Sequence, residues 1–257
     1  MSSKSLLPRE HGAYAEAAFP IITGLALGRP TIAAFSFGLA ITCGFLLSEP
    51  VAILVGTRGS RLKRMLAAEA RRRVVVLAVG LGISGLFAML AALPPARLAA
   101  LVPVGFAVVL TPAAFAGRLK TLRSELLVAA AFATALLPIA LASNVTWSLA
   151  LTASTVWFTT FSLGTLTVHA IKASIKQQSD MQWTRRALPA LAMVVILAGV
   201  ALAISNAVPL LTAVAFLPAS FLALVVGLLG IHPRRLRAIG WSMVASNLLT
   251  LALLLAI

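Results

Sequence analysis

The chain has 257 residues, of which 61% are hydrophobic and only 11% charged, and its 21 Lys+Arg against 6 Asp+Glu give a formal net charge of +15. A soluble domain is about half apolar and about a quarter charged, so a water-soluble globule of this size is excluded: its interior could not hide the surplus apolar surface. Basicity of this degree would suggest nucleic acid in a soluble protein, but these cations fall in short stretches between apolar runs. They therefore report membrane topology, and no nucleic-acid partner is expected.

A bilayer takes roughly 20 apolar residues per helical crossing. Apolar runs between polar breaks predict nine transmembrane helices: Ala13–Leu27, Thr31–Val55, Val74–Leu93, Leu98–Ala116, Leu126–Ala142, Trp147–His169, Ala187–Ile204, Val208–Leu229 and Ile239–Ile257. The runs are long and lack period-two alternation, which favours helices over strands. The expected fold is thus an all-α polytopic bundle forming a single membrane domain over 1–257, with no cleaved leader ahead of the first span. That first span is short and carries Glu16 and Pro20.

Positive charge sets the expected orientation. Lys4, Arg9, the Arg58–Arg73 stretch, Arg118, Lys120, Arg123, Lys172, Lys176, Arg185, Arg186, Arg234, Arg235 and Arg237 fall on one side, and only Arg29 and Arg97 on the other. Cations resist translocation, so the rich side is expected in the cytoplasm of a bacterial inner membrane, with the N-terminus inside and the C-terminus outside. The opposite connections are short turns, such as Gly28-Arg29-Pro30 and Ser143-Asn144. Spans four and eight echo each other, each holding two prolines at equal spacing (Pro103 and Pro112, Pro209 and Pro218). Such prolines free helix carbonyls and suggest a parallel repeat with the ninth helix extra.

Four segments hold residues suited to chemistry. The opening Pro8-Arg9-Glu10-His11-Gly12-Ala13-Tyr14-Ala15-Glu16 places Glu10 with Tyr14, and Gly12 with Glu16, on shared helix faces. A carboxylate inside a span is expensive unless it faces a partner or a polar cavity; Glu10 also fits an interfacial pair with Arg9, whereas Glu16 lies a turn or more deeper. Span two ends Ser48-Glu49-Pro50, followed by Gly56-Thr57-Arg58-Gly59-Ser60-Arg61. A proline-broken helix bearing an acid, then glycines and arginines, suits a buried polar pocket; a Glu–Arg pair steadying the helix end is the plainer alternative. The loop Gly117-Arg118-Leu119-Lys120-Thr121-Leu122-Arg123-Ser124-Glu125 sets three cations beside a helix start that Thr121 or Ser124 can cap, a favourable setting for phosphate. Span six closes with Thr165, His169, Lys172 and Lys176 at helical spacing, a polar stripe leading out of the membrane. The lone Cys43 gives neither a disulfide nor a Cys-based metal site, and no cofactor or metal is expected.

Pro8–Tyr14, Glu49-Pro50 with Gly56–Gly59, and Gly164–Lys172 resemble the YwiC-like family of bacterial membrane proteins, over the first two thirds of the chain. That resemblance implies a membrane protein and no particular activity. More distantly, the layout is similar to the UbiA superfamily of intramembrane prenyltransferases, which implies nine helices in a four-plus-four-plus-one plan and a cytoplasm-facing cavity. By that likeness Lys120 and Arg123 would contact diphosphate. The aspartate-rich, Mg²⁺-binding motifs of that superfamily are replaced by Glu49, Arg58 and Arg61, and by His169, Lys172 and Lys176. The expected ligand is an isoprenoid or other anionic amphiphile, alongside membrane lipids. Arg58, Arg61, Lys120, Arg123 and Lys172, with His11, are the binding set, and Glu10, Glu16, Glu49 and His169 the acid–base set. A transporter of a small anion and a non-catalytic assembly protein are the alternatives, and whether the chain is an enzyme stays open.

Overall fold

A computed structural model describes residues 6–7, 11–176, 182–230 and 235–257. Among them every regular element is a helix: α1 His11–Ala26, α2 Ile32–Val55, α3 Ser60–Ala91, α4 Pro94–Phe115, α5 Leu122–Ala142, α6 Trp147–Lys176, α7 Gln182–Ile204, α8 Leu210–Val214, α9 Leu217–Leu229 and α10 Leu236–Leu255. Helices α8 and α9 continue one another as a single span, and eight spans are long and apolar enough to cross a membrane. With α1 this reproduces the nine expected runs. A polytopic membrane architecture follows from backbone chemistry, because helices satisfy their own N–H and C=O groups in lipid.

The chain forms two compact units, Met1–Ala150 and Leu151–Ile257. In the first, α1 and α2 make an antiparallel pair. Tyr14 meets Phe45 edge to face at 5.2 Å near one end, and a Cβ on Gly38 would lie 3.2 Å from Ile21 nearer the other. Helix α5 runs parallel to α1. A Cβ on Gly24 would meet Ile139 at 3.0 Å, and one on Gly28 would collide with the Ser143 carbonyl oxygen. At that end the Arg29 N–H donates to Ser143 O at 2.9 Å and the Thr31 hydroxyl to Ala142 O at 2.8 Å. By this register the start of α1 stands level with the start of α5. So α1, although only 16 residues long, follows nearly the whole of its longer neighbour.

Helix α3 is 32 residues long, far more than a crossing needs. It returns antiparallel along α2, with Gly80 against Cys43 and Ala70 against Ile53. Residues 60–67 therefore reach beyond the end of α2 by roughly 12 Å at 1.5 Å per residue. The apolar part of α3 begins only at Val74, after Arg71, Arg72 and Arg73. Its first turns instead carry Leu62, Leu66 and Ala70 on one face, and these pack with Leu6, Ile53 and Leu54. This is a small apolar cap on the basic side of Val74, and it covers the end of α2. The sequence expectation treated all of Thr31–Val55 as span and began helix three at Val74; the extra helix forms because alternate turns of this basic segment present leucines inward. At the far end of α3, Arg97 donates to Ala92 O at 2.7 Å and Leu90 O at 3.2 Å. It satisfies carbonyls that the helix end leaves unpaired.

In the second unit α7 and α9 are antiparallel, with Gly227 against Pro189 and Gly199 against Phe216. Helix α10 returns along α9, placing Ile239 with Val226 and Ile171 in one apolar cluster. Towards its C-terminus the Thr250 hydroxyl lies 3.4 Å from Ala215 O, where the span breaks between α8 and α9. Pro218 opens α9 and has no N–H for the Val214 carbonyl, so one helical hydrogen bond is missing where the span breaks. Its counterpart in span four behaves differently: Pro103 and Pro112 both lie inside the unbroken α4.

Candidate functional site at the basic end of the first unit

Gly56 and Gly59 hold backbone angles (φ +96° and +101°) that side-chain-bearing residues rarely adopt. Gly56 ends α2, its N–H reaching the carbonyls of Ala52 and Ile53 at 3.1 Å, and the Thr57 hydroxyl also donates to Ala52 O at 3.0 Å. Gly59 closes the turn on Gly56 O at 2.8 Å and starts α3. Arg58, trapped between the glycines, is directed back along α2. Its Nη2 donates to Glu49 Oε2 at 2.5 Å. Glu49 is 2% exposed while the Arg58 side chain is 32% exposed, so one partner is sealed and the other reaches the surface. Oε1 of Glu49 is buried without a hydrogen-bond partner.

The surroundings of this pair come from helix register. Phe45 lies four residues before Glu49 and shares its face of α2. There it forms an aromatic layer with Tyr14 of α1 (5.2 Å) and Phe132 of α5 (5.6 Å). Glu49 thus sits one turn above an aromatic floor, at the depth where α3 changes from apolar residues to arginines. His11 opens α1 one turn beyond Tyr14 towards the same end; its side chain and Glu10 lie outside the described residues. Glu16 is half-buried, deeper along α1.

The next connection converges on the same turn. Helix α4 closes in a Schellman arrangement, with Gly117 N–H to Ala114 O at 3.2 Å and Arg118 N–H to Ala113 O at 2.8 Å, Gly117 taking φ +67°. A Cβ on Gly117 would lie 3.8 Å from Thr57, so the loops after α2 and α4 touch. Thr121 then caps α5 by accepting from the Ser124 N–H at 3.3 Å. Arg61, Lys120 and Arg123 are exposed around this meeting point. The two loops singled out by charge are therefore neighbours.

The fourth expected segment belongs to the second unit. His169 is 3% exposed and Lys172 exposed on α6, so the polar stripe passes from protein interior to surface within one turn. The Lys176 side chain lies outside the described residues. Among the described residues, no group of three or more His, Cys, Asp or Glu is placed to hold a metal ion. What sequence reasoning missed is the aromatic layer and the cap. Tyr14, Phe45 and Phe132 give no local signal, since only the pairing of three helices brings them together.

A model of the YwiC-like protein family matches residues 7–141. The chain belongs to the YwiC-like family. That match runs from the N-terminal motif through α5 almost to its end, and so coincides with the first unit, whose residues build the site. The Gly164–Lys172 stretch, taken with the other two as a mark of resemblance, lies beyond it. Searches of curated proteins and of solved structures found no match.

Proposed function

We propose that this YwiC-like protein binds the phosphate of an amphiphile at the basic end of its first unit. The observation carrying this reading is the Glu49–Arg58 pair, set above an aromatic floor where two basic loops meet. Glu49 holds one nitrogen of Arg58 and leaves the rest of the guanidinium for a ligand. A planar guanidinium with several donors suits phosphate oxygens. Lys120 and Arg123 would add charge from the rim and Arg61 from the first turn of α3. The exposed apolar surface below accommodates an acyl or isoprenoid chain. A UbiA-like isoprenoid phosphate is one member of this class, with Arg and Lys in place of the metal. Glu10 and Glu16 are then the acid–base candidates, and Glu49 chiefly positions Arg58. The cation asymmetry favours a cytoplasmic location for this end in a bacterial inner membrane. The test is to purify Arg58→Ala, Lys120→Ala and Arg123→Ala variants and quantify co-purifying phosphorus-containing lipid. Loss in at least the Arg58 variant is expected, and wild-type lipid content in all three would refute the reading.

One observation favours a second reading, transport of a small anion. The α8–α9 span is broken inside the second unit, with Thr212 and Ser246 hydroxyls buried there without hydrogen-bond partners. Interrupted spans with polar linings suit alternating access. Anion uptake into proteoliposomes, abolished by Thr212→Val, would support this reading over the first.

A further inference from the structure

Simple anion binding leaves one feature of the site unexplained. A pocket for phosphate alone needs only cations, and a carboxylate at its heart would repel the ligand. Yet Glu49 is 98% buried by its 2% exposure, is engaged on one oxygen only, and has its Oε1 without any hydrogen-bond donor. A buried carboxylate oxygen left in this state is costly, and a charged donor compensates it best. Among the described residues the elements packed around it supply none: Arg58 reaches Oε2, and the α1 and α5 residues one turn below are aromatic. A divalent cation would want several oxygen ligands including further carboxylates, and no such group exists among the described residues.

Resting on the phosphate reading above, we infer that the ligand is a zwitterionic amine-bearing phospholipid headgroup. Its phosphate meets the exposed side of Arg58 and the rim cations, and its primary ammonium, entering beside Arg58, donates to Glu49 Oε1, which is covered until that entry opens. The depth agrees. Glu49 lies level with the change from Val74 to Arg73 on α3, a change from apolar to basic residues that suits the headgroup level, and α3 exposes Val75 and Val76 just past it. A soluble phosphate compound would have no use for that apolar approach. The assignment also separates two headgroups of equal charge. Phosphatidylethanolamine carries N–H donors and phosphatidylcholine carries none.

The experiment is native mass spectrometry of the delipidated full-length protein, titrated with phosphatidylethanolamine, phosphatidylcholine and phosphatidylglycerol. Wild type is expected to bind phosphatidylethanolamine about tenfold more tightly than phosphatidylcholine, the scale of one hydrogen bond to a charged group. Glu49→Gln is expected to erase that preference while keeping phosphatidylglycerol binding, and Arg58→Ala to weaken all three. Equal binding of the two zwitterions by wild type, with Arg58→Ala still weakening every lipid, would overturn the zwitterion assignment and leave phosphate binding intact. Arg58→Ala without effect on any lipid would overturn both. Soluble phosphoethanolamine binding as tightly as the lipid would overturn the lipid assignment. The wild-type comparison needs no variant, so it stands even if Glu49→Gln fails to fold.

Discussion

Arg58 illustrates how much of this site hangs on single residues. Its loss would leave the Glu49 carboxylate buried with no partner on either oxygen. Because the Arg58 side chain is one-third exposed, some of its charge interaction is screened, and Arg58→Ala is expected to destabilise by about 1–3 kcal/mol. Adding Glu49→Gln to that variant removes the stranded charge and should recover most of the loss. Thermal unfolding in detergent of the two single variants and the double variant measures the coupling. The flanking glycines make a separate prediction. Gly59 at φ +101° and Gly56 at φ +96° admit no Cβ without strain, so alanine at either should cost about 1–3 kcal/mol. Gly44, inside α2 with nothing within 4 Å of a Cβ, should instead tolerate alanine or gain about 1 kcal/mol from it. A similar melting-temperature change at all three positions would contradict the strain argument.

Among the elements, close approach of backbones holds α1 in place. Gly24 and Gly28 leave no room for a methyl group against Ile139 and Ser143, whereas Gly82 and Gly85 on α3 face open space. Alanine at Gly28 is therefore expected to destabilise the first unit by about 1–3 kcal/mol through overpacking, and alanine at Gly82 to be silent. Unfolding midpoints of the two variants compare them directly. The helices themselves were legible in the sequence because a lipid-spanning segment writes its own length in apolar residues. Two departures had tertiary causes. The basic start of α3 is helical because Leu62, Leu66 and Ala70 share a face, a pattern masked by the six cations around them. The span beginning at Leu210 breaks because Pro218 and the Thr250 contact act together, while Pro103 and Pro112 in α4, at the same spacing, leave that helix continuous. Proline position alone therefore did not tell the two apart.

For the whole molecule, charge asymmetry predicts the side on which each connection lies, and a labelling experiment can check it in intact cells. In a Cys43→Ala background, cysteines at Arg72 and Lys120 should be protected from an impermeant thiol reagent, and cysteines at Arg29 and Asn144 should react. Reaction at Arg72 or Lys120 would reverse the orientation. Protection of a cysteine at Ser5, ahead of α1, together with reaction at Arg29 would also establish α1 as a true crossing. The candidate site was partly legible at this scale. Glu49, Arg58, Lys120 and Arg123 stood out as charged residues at the edges of apolar runs, and the fold brings the loops carrying them into contact. Their common depth, and the aromatic floor beneath, depended on how α1, α2 and α5 pair, which composition does not encode.

The pairing of α1 with α5 has a consequence for biogenesis. A short helix bearing Glu16 gains little from lipid alone, and the groove it fills does not exist until the fifth helix has left the ribosome, more than a hundred residues later. Helix α1, made well ahead of α5, is then expected to settle only once that partner has entered. Nascent chains arrested before residue 122 should leave this segment extractable by alkali, and chains arrested well past residue 143 should not.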